Sequence, residues 1–162
     1  MKSDQIYFSR QLIKGRVAEI IFEQLLRDAG LYTVLSFGYE NILPELMHRQ
    51  NEIKAKQTME IIRRAPDFAV INNESHDVQL IEVKFMRELS SHWVLRDAER
   101  MIESWKPSYL FIATPDGFYF DKVVDIVKNK GEIKPLDMPH VSEDLQAKYV
   151  KLLNEFLGEA EC

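Results

Sequence analysis

Three charged side chains indicate what chemistry this chain can do: Asp67, Glu82 and Lys84. Glu82 and Lys84 are two residues apart, so in a strand both project from the same face. Converging carboxylates can hold a hard divalent cation through oxygen ligands, and a substrate phosphate can complete its coordination. Such a cation lowers the pKa of a bound water, which a neighbouring lysine can position or deprotonate. This set therefore favours hydrolysis of a phosphodiester bond.

Two apolar segments, residues 65–71 and 78–85, carry these charges, and a stretch rich in turn-forming residues joins them. This pattern predicts a β-hairpin. If the hairpin turns between Glu74 and Ser75, the first carboxylate lies directly opposite the second. Both faces of the second segment carry large apolar groups, which is typical of a central strand covered on both sides. Buried charges there are costly unless they are paired or bind a metal, so a structural ion-pair cluster is the alternative explanation.

A long helix is predicted from about residue 3 to residue 29, with Gly30 placed to end it. Its predicted inward face comprises six residues: Ile13, Val17, Ile20, Ile21, Gln24 and Leu25. Glu19 lies beside this face and is a candidate third carboxylate, with an exposed helical glutamate as the alternative. Gly15 costs about 1 kcal/mol relative to alanine within a helix, so we interpret it as a point of close approach.

The remaining elements complete the order helix, strand, helix, hairpin, helix, strand, strand. Strands are predicted at 31–37, 109–113 and 118–120, and helices at 45–63, 90–104, 122–129 and from 142 onward. The order predicts an α/β fold with a mixed central β-sheet flanked by helices. The amphipathic C-terminal helix is expected to dock on the body of the domain, and a homodimer contact is its alternative use.

Composition and length limit the class of protein. A chain of 162 residues is expected to form one domain that buries its core without disulfides. Its single cysteine, Cys162, excludes a disulfide framework and a cysteine-based zinc site, and fits a reducing cytoplasm. The sequence contains neither a signal-peptide pattern nor an apolar run of about 18 residues, so we expect a cytoplasmic protein with no membrane partner.

The charge distribution is acidic overall with one basic stretch. A net charge of −5 argues against a protein that coats nucleic acid through long-range attraction. Between residues 47 and 64, however, there are five basic residues and two acidic ones. This stretch predicts a basic patch near Asp67. The alternative explanation, to which we give equal weight, is a charged helix face exposed to solvent.

The spacing of these residues resembles a known signature. Pro66-Asp67, fourteen intervening residues and Glu82-Val83-Lys84 are similar to the motif of the PD-(D/E)xK nuclease superfamily. The helix that carries Glu19 resembles the first core helix of that superfamily, and the resemblance covers roughly residues 5–120. It implies a restriction-endonuclease-like αβββαβ core within a single domain of residues 1–162, with 121–162 as a C-terminal helical extension.

The resemblance also implies roles for particular residues. Asp67, Glu82 and the backbone carbonyl of Val83 would bind Mg²⁺ or Mn²⁺, and Lys84 would act on the attacking water. Glu19 matches the helical glutamate that adds a metal ligand, directly or through water, in many members.

The implied activity is a nuclease that acts on DNA, in repair, recombination or restriction, with RNA as the alternative substrate. The helix after Lys84 lacks the glutamine and tyrosine pair typical of RecB-type exonucleases, so an endonuclease is favoured. Lys14, Arg16 and Arg87 are candidate phosphate contacts, although residues of this kind are more often surface charges. The alternative function is an inactive nuclease-fold module that binds nucleic acid or protein.

Overall fold

A five-stranded mixed sheet lies at the centre of the fold. The structure is a computed structural model and describes residues 2–38 and 56–159. The strands follow one another across the sheet in chain order: β1 Tyr32–Ser36, β2 Phe68–Asn72, β3 Val78–Phe85, β4 Ser108–Thr114 and β5 Gly117–Lys122. Strands β3 and β4 are parallel, and the other neighbours are antiparallel. The predicted α/β class and mixed sheet are therefore confirmed.

Helices flank this sheet on both faces. Those in the described ranges are α1 Lys2–Ala29, α2 Lys56–Arg63, α3 Ser91–Ile102, α4 Val123–Lys128 and α5 Glu143–Glu159. The predicted start of the second helix, near Pro44, lies outside the described residues. Gly30 ends α1 with a φ of 76°, as its position predicts. None of the helices in these ranges combines the length and the apolar character that a membrane span requires.

The β2–β3 hairpin has the predicted register. Phe68 pairs with Ile81, which places Asp67 opposite Glu82 one position further along the strands. The turn is held by Asn72, whose Oδ1 accepts hydrogen bonds from the backbone N–H groups of Glu74 at 2.9 Å and Ser75 at 3.1 Å. An asparagine that caps its own turn in this way favours one hairpin register over its neighbours.

Two apolar cores cover the two faces of the sheet. The first lies between the sheet and helices α1 and α5 and includes Phe22, Ile81, Val83, Phe111 and Leu153. The second lies between the sheet and helices α3 and α4 and includes Val94, Ala98, Leu110, Ile112 and Ile126. Strand β3 is the third of five and is covered on both sides, which confirms the central strand predicted from its apolar pattern.

The buried face of α1 agrees only in part with the predicted one: Ile21 and Leu25 are buried as predicted, and the face is turned towards Phe22 and Leu26. Its fully buried residues are Ala18, Ile21, Phe22, Leu25 and Leu26. Ile13 and Ile20, which were expected inside, are 55 and 58 % exposed, and Gln24 is exposed too. Apolar residues occupy more than half of the helix circumference, so periodicity alone left the inward direction ambiguous. The sheet covers only the C-terminal half of the helix and selects the face.

Candidate active site

Asp67 is fixed by backbone hydrogen bonds from two neighbouring segments. Its carbonyl accepts hydrogen bonds from the N–H groups of Phe37 and Gly38 at 2.8 and 3.1 Å. Its carboxylate Oδ2 accepts a hydrogen bond from the N–H of Val83 at 2.8 Å. The residues that follow β1 therefore fix the backbone of Asp67, and β3 fixes its carboxylate. Asp67 lies immediately before the first residue of β2.

Glu82 and Lys84 project from the same face of β3, as their spacing predicts. Lys84 Nζ lies 2.6 Å from Glu82 Oε1, and the Glu82 side chain is only 16 % exposed. The ion pair is thus short and partly shielded from water, and Glu82 favours the charged form of Lys84.

Glu19 reaches the same site from α1, on the opposite face of the sheet. Its Oε2 lies 2.8 Å from Nη1 of Arg16, one helical turn earlier. The negative charge of Glu19 raises the pKa of Asp67, which indicates that the two carboxylates are near neighbours. Tertiary structure therefore brings the helical glutamate to the hairpin carboxylates.

The environment opposes ionisation of Asp67. The pKa of its carboxyl is raised to about 7: burial is the largest cause, the charges of Glu82 and Glu19 also raise this pKa, and the Val83 N–H and Lys84 lower it. Burial lowers the pKa of Lys84, but the neighbouring carboxylates, chiefly Glu82, outweigh burial, so the pKa of Lys84 is raised overall. Lys84 is therefore held as an ammonium ion while it is paired with Glu82.

Two clefts open onto these charges, one on each side of the sheet. The larger, of about 360 Å³, lies against α1, and its lining includes Gly15, Arg16, Glu19, Arg63, Asp67 and Glu82. The smaller, of about 70 Å³, lies against α3, and its lining includes Arg63, Arg64, Glu82, Lys84, Asp97 and Arg100. Glu82 and Arg63 line both clefts, so Glu82 is the carboxylate that both clefts reach.

The carboxylates converge without forming a complete set of metal ligands. Within residues 2–38 and 56–159, no three aspartate, glutamate, histidine or cysteine side chains stand close enough together to bind a metal ion. Glu19 is instead paired with Arg16, and Glu82 with Lys84. The donors nevertheless fit a hard cation, because Asp67 is buried beside other carboxylates whose repulsion a cation would offset.

The predicted phosphate contacts lie in different places. Arg16 lines the larger cleft beside Glu19. Lys14 and Arg87 line a separate cleft of about 230 Å³ near the end of β3. Lys14 Nζ lies 5.8 Å from the centroid of the Phe85 ring. The structure therefore brings only one of the three cations to the carboxylates.

Several residues that the motif did not indicate also line the site. Asp97 and Arg100 come from α3, and they are three residues apart beside the buried stripe of that helix. Arg63 was included only in the predicted basic patch. It reaches the site because α2 docks on the end of α3, where Trp105 Nε1 donates to the Ile61 carbonyl at 3.0 Å. The sequence signal that could have indicated Asp97 and Arg100 is their position beside the apolar, buried face of α3.

Comparison with known proteins assigns no family to the chain. No protein-family model matches the sequence, and no curated protein sequence matches it. Function is therefore inferred from the arrangement itself, in which three carboxylates and one lysine share adjoining clefts with arginines from α1, α2 and α3.

Proposed function

We propose that this protein is a metal-dependent nuclease of the PD-(D/E)xK superfamily that hydrolyses the phosphodiester backbone of DNA as an endonuclease. One observation carries the proposal: Asp67 lies opposite Glu82, Lys84 pairs with Glu82, and Glu19 approaches them from α1 in one cleft. The element order supports it, because α1, β1, β2, β3, α3 and β4 follow the αβββαβ order with α2 inserted after β1.

Asp67, Glu82 and the backbone carbonyl of Val83 would hold Mg²⁺ or Mn²⁺, with Glu19 as a direct or water-mediated ligand. When bound, the cation would stabilise charge on the phosphate and lower the pKa of a water. The Val83 N–H keeps the Asp67 carboxylate oriented throughout. Glu82 pairs with Lys84 through Oε1, so its second carboxylate oxygen would hold the cation, and the Lys84 ammonium would position the attacking water.

Arginines from two helices surround this arrangement and suit a phosphate substrate. Arg63 lines both clefts, and Arg100 lines the smaller cleft together with Lys84. Guanidinium groups bind phosphate oxygens in a bidentate manner and position a nucleic-acid backbone without reading its sequence. We therefore expect these side chains to contribute to affinity, and base specificity to come from other parts of the chain.

The direct test is cleavage of a panel of labelled DNA and RNA structures with Mg²⁺ or Mn²⁺. We expect cleavage of DNA, and we expect Asp67→Ala and Lys84→Ala each to lower the rate by at least about 100-fold, because both groups act on the developing charge or the nucleophile. Asp116→Ala, which removes an exposed carboxylate from the β4–β5 turn, is the matched control. The proposal fails if all substrates remain uncut or if both variants cut as fast as wild type.

A metal-free binding module is the second candidate function. The Arg16–Glu19 and Lys84–Glu82 ion pairs favour the binding module, because they neutralise two carboxylates without a metal ion. Calorimetric titration with Mn²⁺ separates the two candidates. Binding in the submillimolar range that disappears in Asp67→Ala supports the nuclease, whereas no heat of binding in wild type supports the module.

A further inference from the structure

The N-terminal part of α1 extends beyond the body of the protein and exposes large apolar side chains. Every residue from 5 to 13 is exposed. Ile6, Tyr7, Phe8, Leu12 and Ile13 are between 55 and 69 % exposed, with Phe8 the most exposed of them. Contiguous exposed apolar groups of this kind usually mark an interaction surface.

Phe8 lies on the side of α1 that faces the larger cleft. Residues 8, 12, 15 and 19 have the spacing that places side chains on one helical face. Leu12, Gly15 and Glu19 all line the cleft, so Phe8 is the next position outward along the same wall. Phe8 and Glu19 are separated by about 16 Å along the helix axis, given a rise of about 1.5 Å per residue.

The charge of this segment complements a phosphate backbone. Residues 5–18 contain three basic residues and no acidic one, within a chain of net charge −5; Arg16 lies on the cleft side of α1, whereas Arg10 and Lys14 lie towards the side of Ile6. Arg16 lines the cleft between Leu12 and Glu19. A basic side chain and an exposed aromatic ring on one face, here Arg16 and Phe8, are features with which proteins bind single-stranded nucleic acid.

Gly15 lies in the middle of this wall without a packing reason for being glycine. Among the described residues, no atom lies within 4 Å of the position that a Cβ at Gly15 would occupy, outside the local helix. Glycine destabilises a helix interior relative to alanine, so its presence has another cause. A ligand backbone that approaches α1 closely at this position provides one.

We propose that the DNA substrate of this site carries an unpaired stretch, which runs from the carboxylates past Gly15 and stacks a base on Phe8. The inference rests on the proposed nuclease function and specifies its substrate class. An unpaired strand is required because a ring can stack only on a base whose face is not covered by duplex neighbours. A flap, a gap or a single-stranded tail would present such a base.

Fluorescence anisotropy in EDTA tests this, because nothing is cut without metal. The probes are a blunt duplex and the same duplex with a single-stranded tail of about 10 nucleotides. We expect wild type to bind the tailed probe at least about 5-fold more tightly than the blunt one, and Phe8→Ala to weaken tailed binding about 5- to 100-fold. Phe8→Leu should lose most of the same affinity because it removes the aromatic face.

Ile6→Ala is the matched control, since Ile6 is also exposed but lies on the opposite side of the same helical turn. Gly15→Ala supplies a second variant that cannot fail by unfolding. It should raise the unfolding midpoint and at the same time weaken binding of the tailed probe several-fold. Equal affinity for the two probes, absence of tailed binding in wild type, or unaltered tailed binding in Phe8→Ala and Gly15→Ala would each overturn the inference.

The two proposals fail in different ways. Cleavage of blunt duplex without preference for tailed DNA would overturn the single-strand inference and leave the nuclease intact. Tailed binding that depends on Phe8, with no cleavage under any metal condition, would overturn the nuclease function and leave the strand-binding surface.

Discussion

Asp67 is oriented by three backbone N–H groups, while burial and neighbouring carboxylates oppose its charge. The hydrogen bonds from Phe37, Gly38 and Val83 determine where the residue lies. Burial and the charges of Glu82 and Glu19 raise its pKa to about 7. A carboxylate placed where its own charge is disfavoured is more typical of a functional site than of a stabilising contact.

This environment makes stability depend on pH. The pKa of Asp67 is about 7 in the folded chain against 3.8 when unperturbed, so the folded state binds the proton more tightly. Its contribution to the free energy of unfolding is therefore favourable at low pH and is lost as pH rises towards 7. Asp67→Asn cannot ionise, so in EDTA it should stabilise the protein, by about 1–2 kcal/mol more at pH 8 than at pH 5.

Urea unfolding at the two pH values measures the difference, with Asp116→Asn in the exposed β4–β5 turn as the matched control. Clear destabilisation by Asp67→Asn at pH 8 would contradict the expectation. It would instead favour the structural ion-pair cluster that the sequence left open.

At the scale of elements, glycines determine how two helices meet. Gly131 follows α4 with a φ of 91°, and its N–H donates to the Ile126 carbonyl at 2.9 Å. A Cβ at this position would lie 2.1 Å from the carbonyl oxygen of Ser91, at the start of α3. The absence of a side chain therefore allows α4 to end directly against the helix that carries Asp97 and Arg100.

Gly131→Ala should lower the free energy of unfolding by about 2–4 kcal/mol, because the left-handed conformation and the clash with backbone both oppose the methyl group. Gly30→Ala is the control, since Gly30 also has a positive φ of 76° but no described atom within 4 Å of its Cβ position. It should cost only about 1–2 kcal/mol. Denaturant unfolding measures both losses. If the two variants lost the same free energy of unfolding, the clash with Ser91 would be relieved at little cost by a shift of α3, which would contradict the prediction.

Some elements could be predicted from the sequence, and others could not. The hairpin followed from apolar runs bounded by turn formers, and its register followed from a turn placed between Glu74 and Ser75. The direction of α1 did not follow, because its apolar residues surround most of the helix. Ser90 is the N-cap residue of α3 but makes no side-chain capping bond, whereas Ser142 Oγ caps α5 by accepting a hydrogen bond from the Leu145 N–H at 3.2 Å.

For the molecule as a whole, the C-terminal segment belongs to the core that supports the site. Leu136, Met138, Val141, Tyr149 and Leu153 pack in the same cluster as Phe22 of α1. The Tyr149 hydroxyl donates to the Asp28 carboxylate, which joins α5 to α1. The docking predicted for this helix is confirmed, and a homodimer contact stays a prediction. Residues after 121 therefore stabilise α1, which carries Glu19.

Two adjacent leucines in α5 test this role. Leu153 is fully buried, whereas Leu152 is 37 % exposed. Leu153→Ala should lower the free energy of unfolding by about 2–5 kcal/mol, and Leu152→Ala by less than about 1 kcal/mol. Denaturant unfolding measures both. A larger loss for Leu152→Ala would place the other face of α5 in an interface and contradict the packing described above.

The sequence by itself determined the parts of the site that depend on local periodicity. Alternation along two strands places Glu82 and Lys84 on one face and Asp67 opposite them, because side-chain direction in a strand repeats every two residues. Only the tertiary structure decided what approaches this hairpin. Glu19, Arg63 and Arg100 belong to three helices far apart in sequence, and the packing of each helix on a chosen sheet face depends on the whole core. The alternation of residues along the hairpin thus specified the reactive groups. The packing of distant helices on the sheet added the residues that form the rest of the cleft.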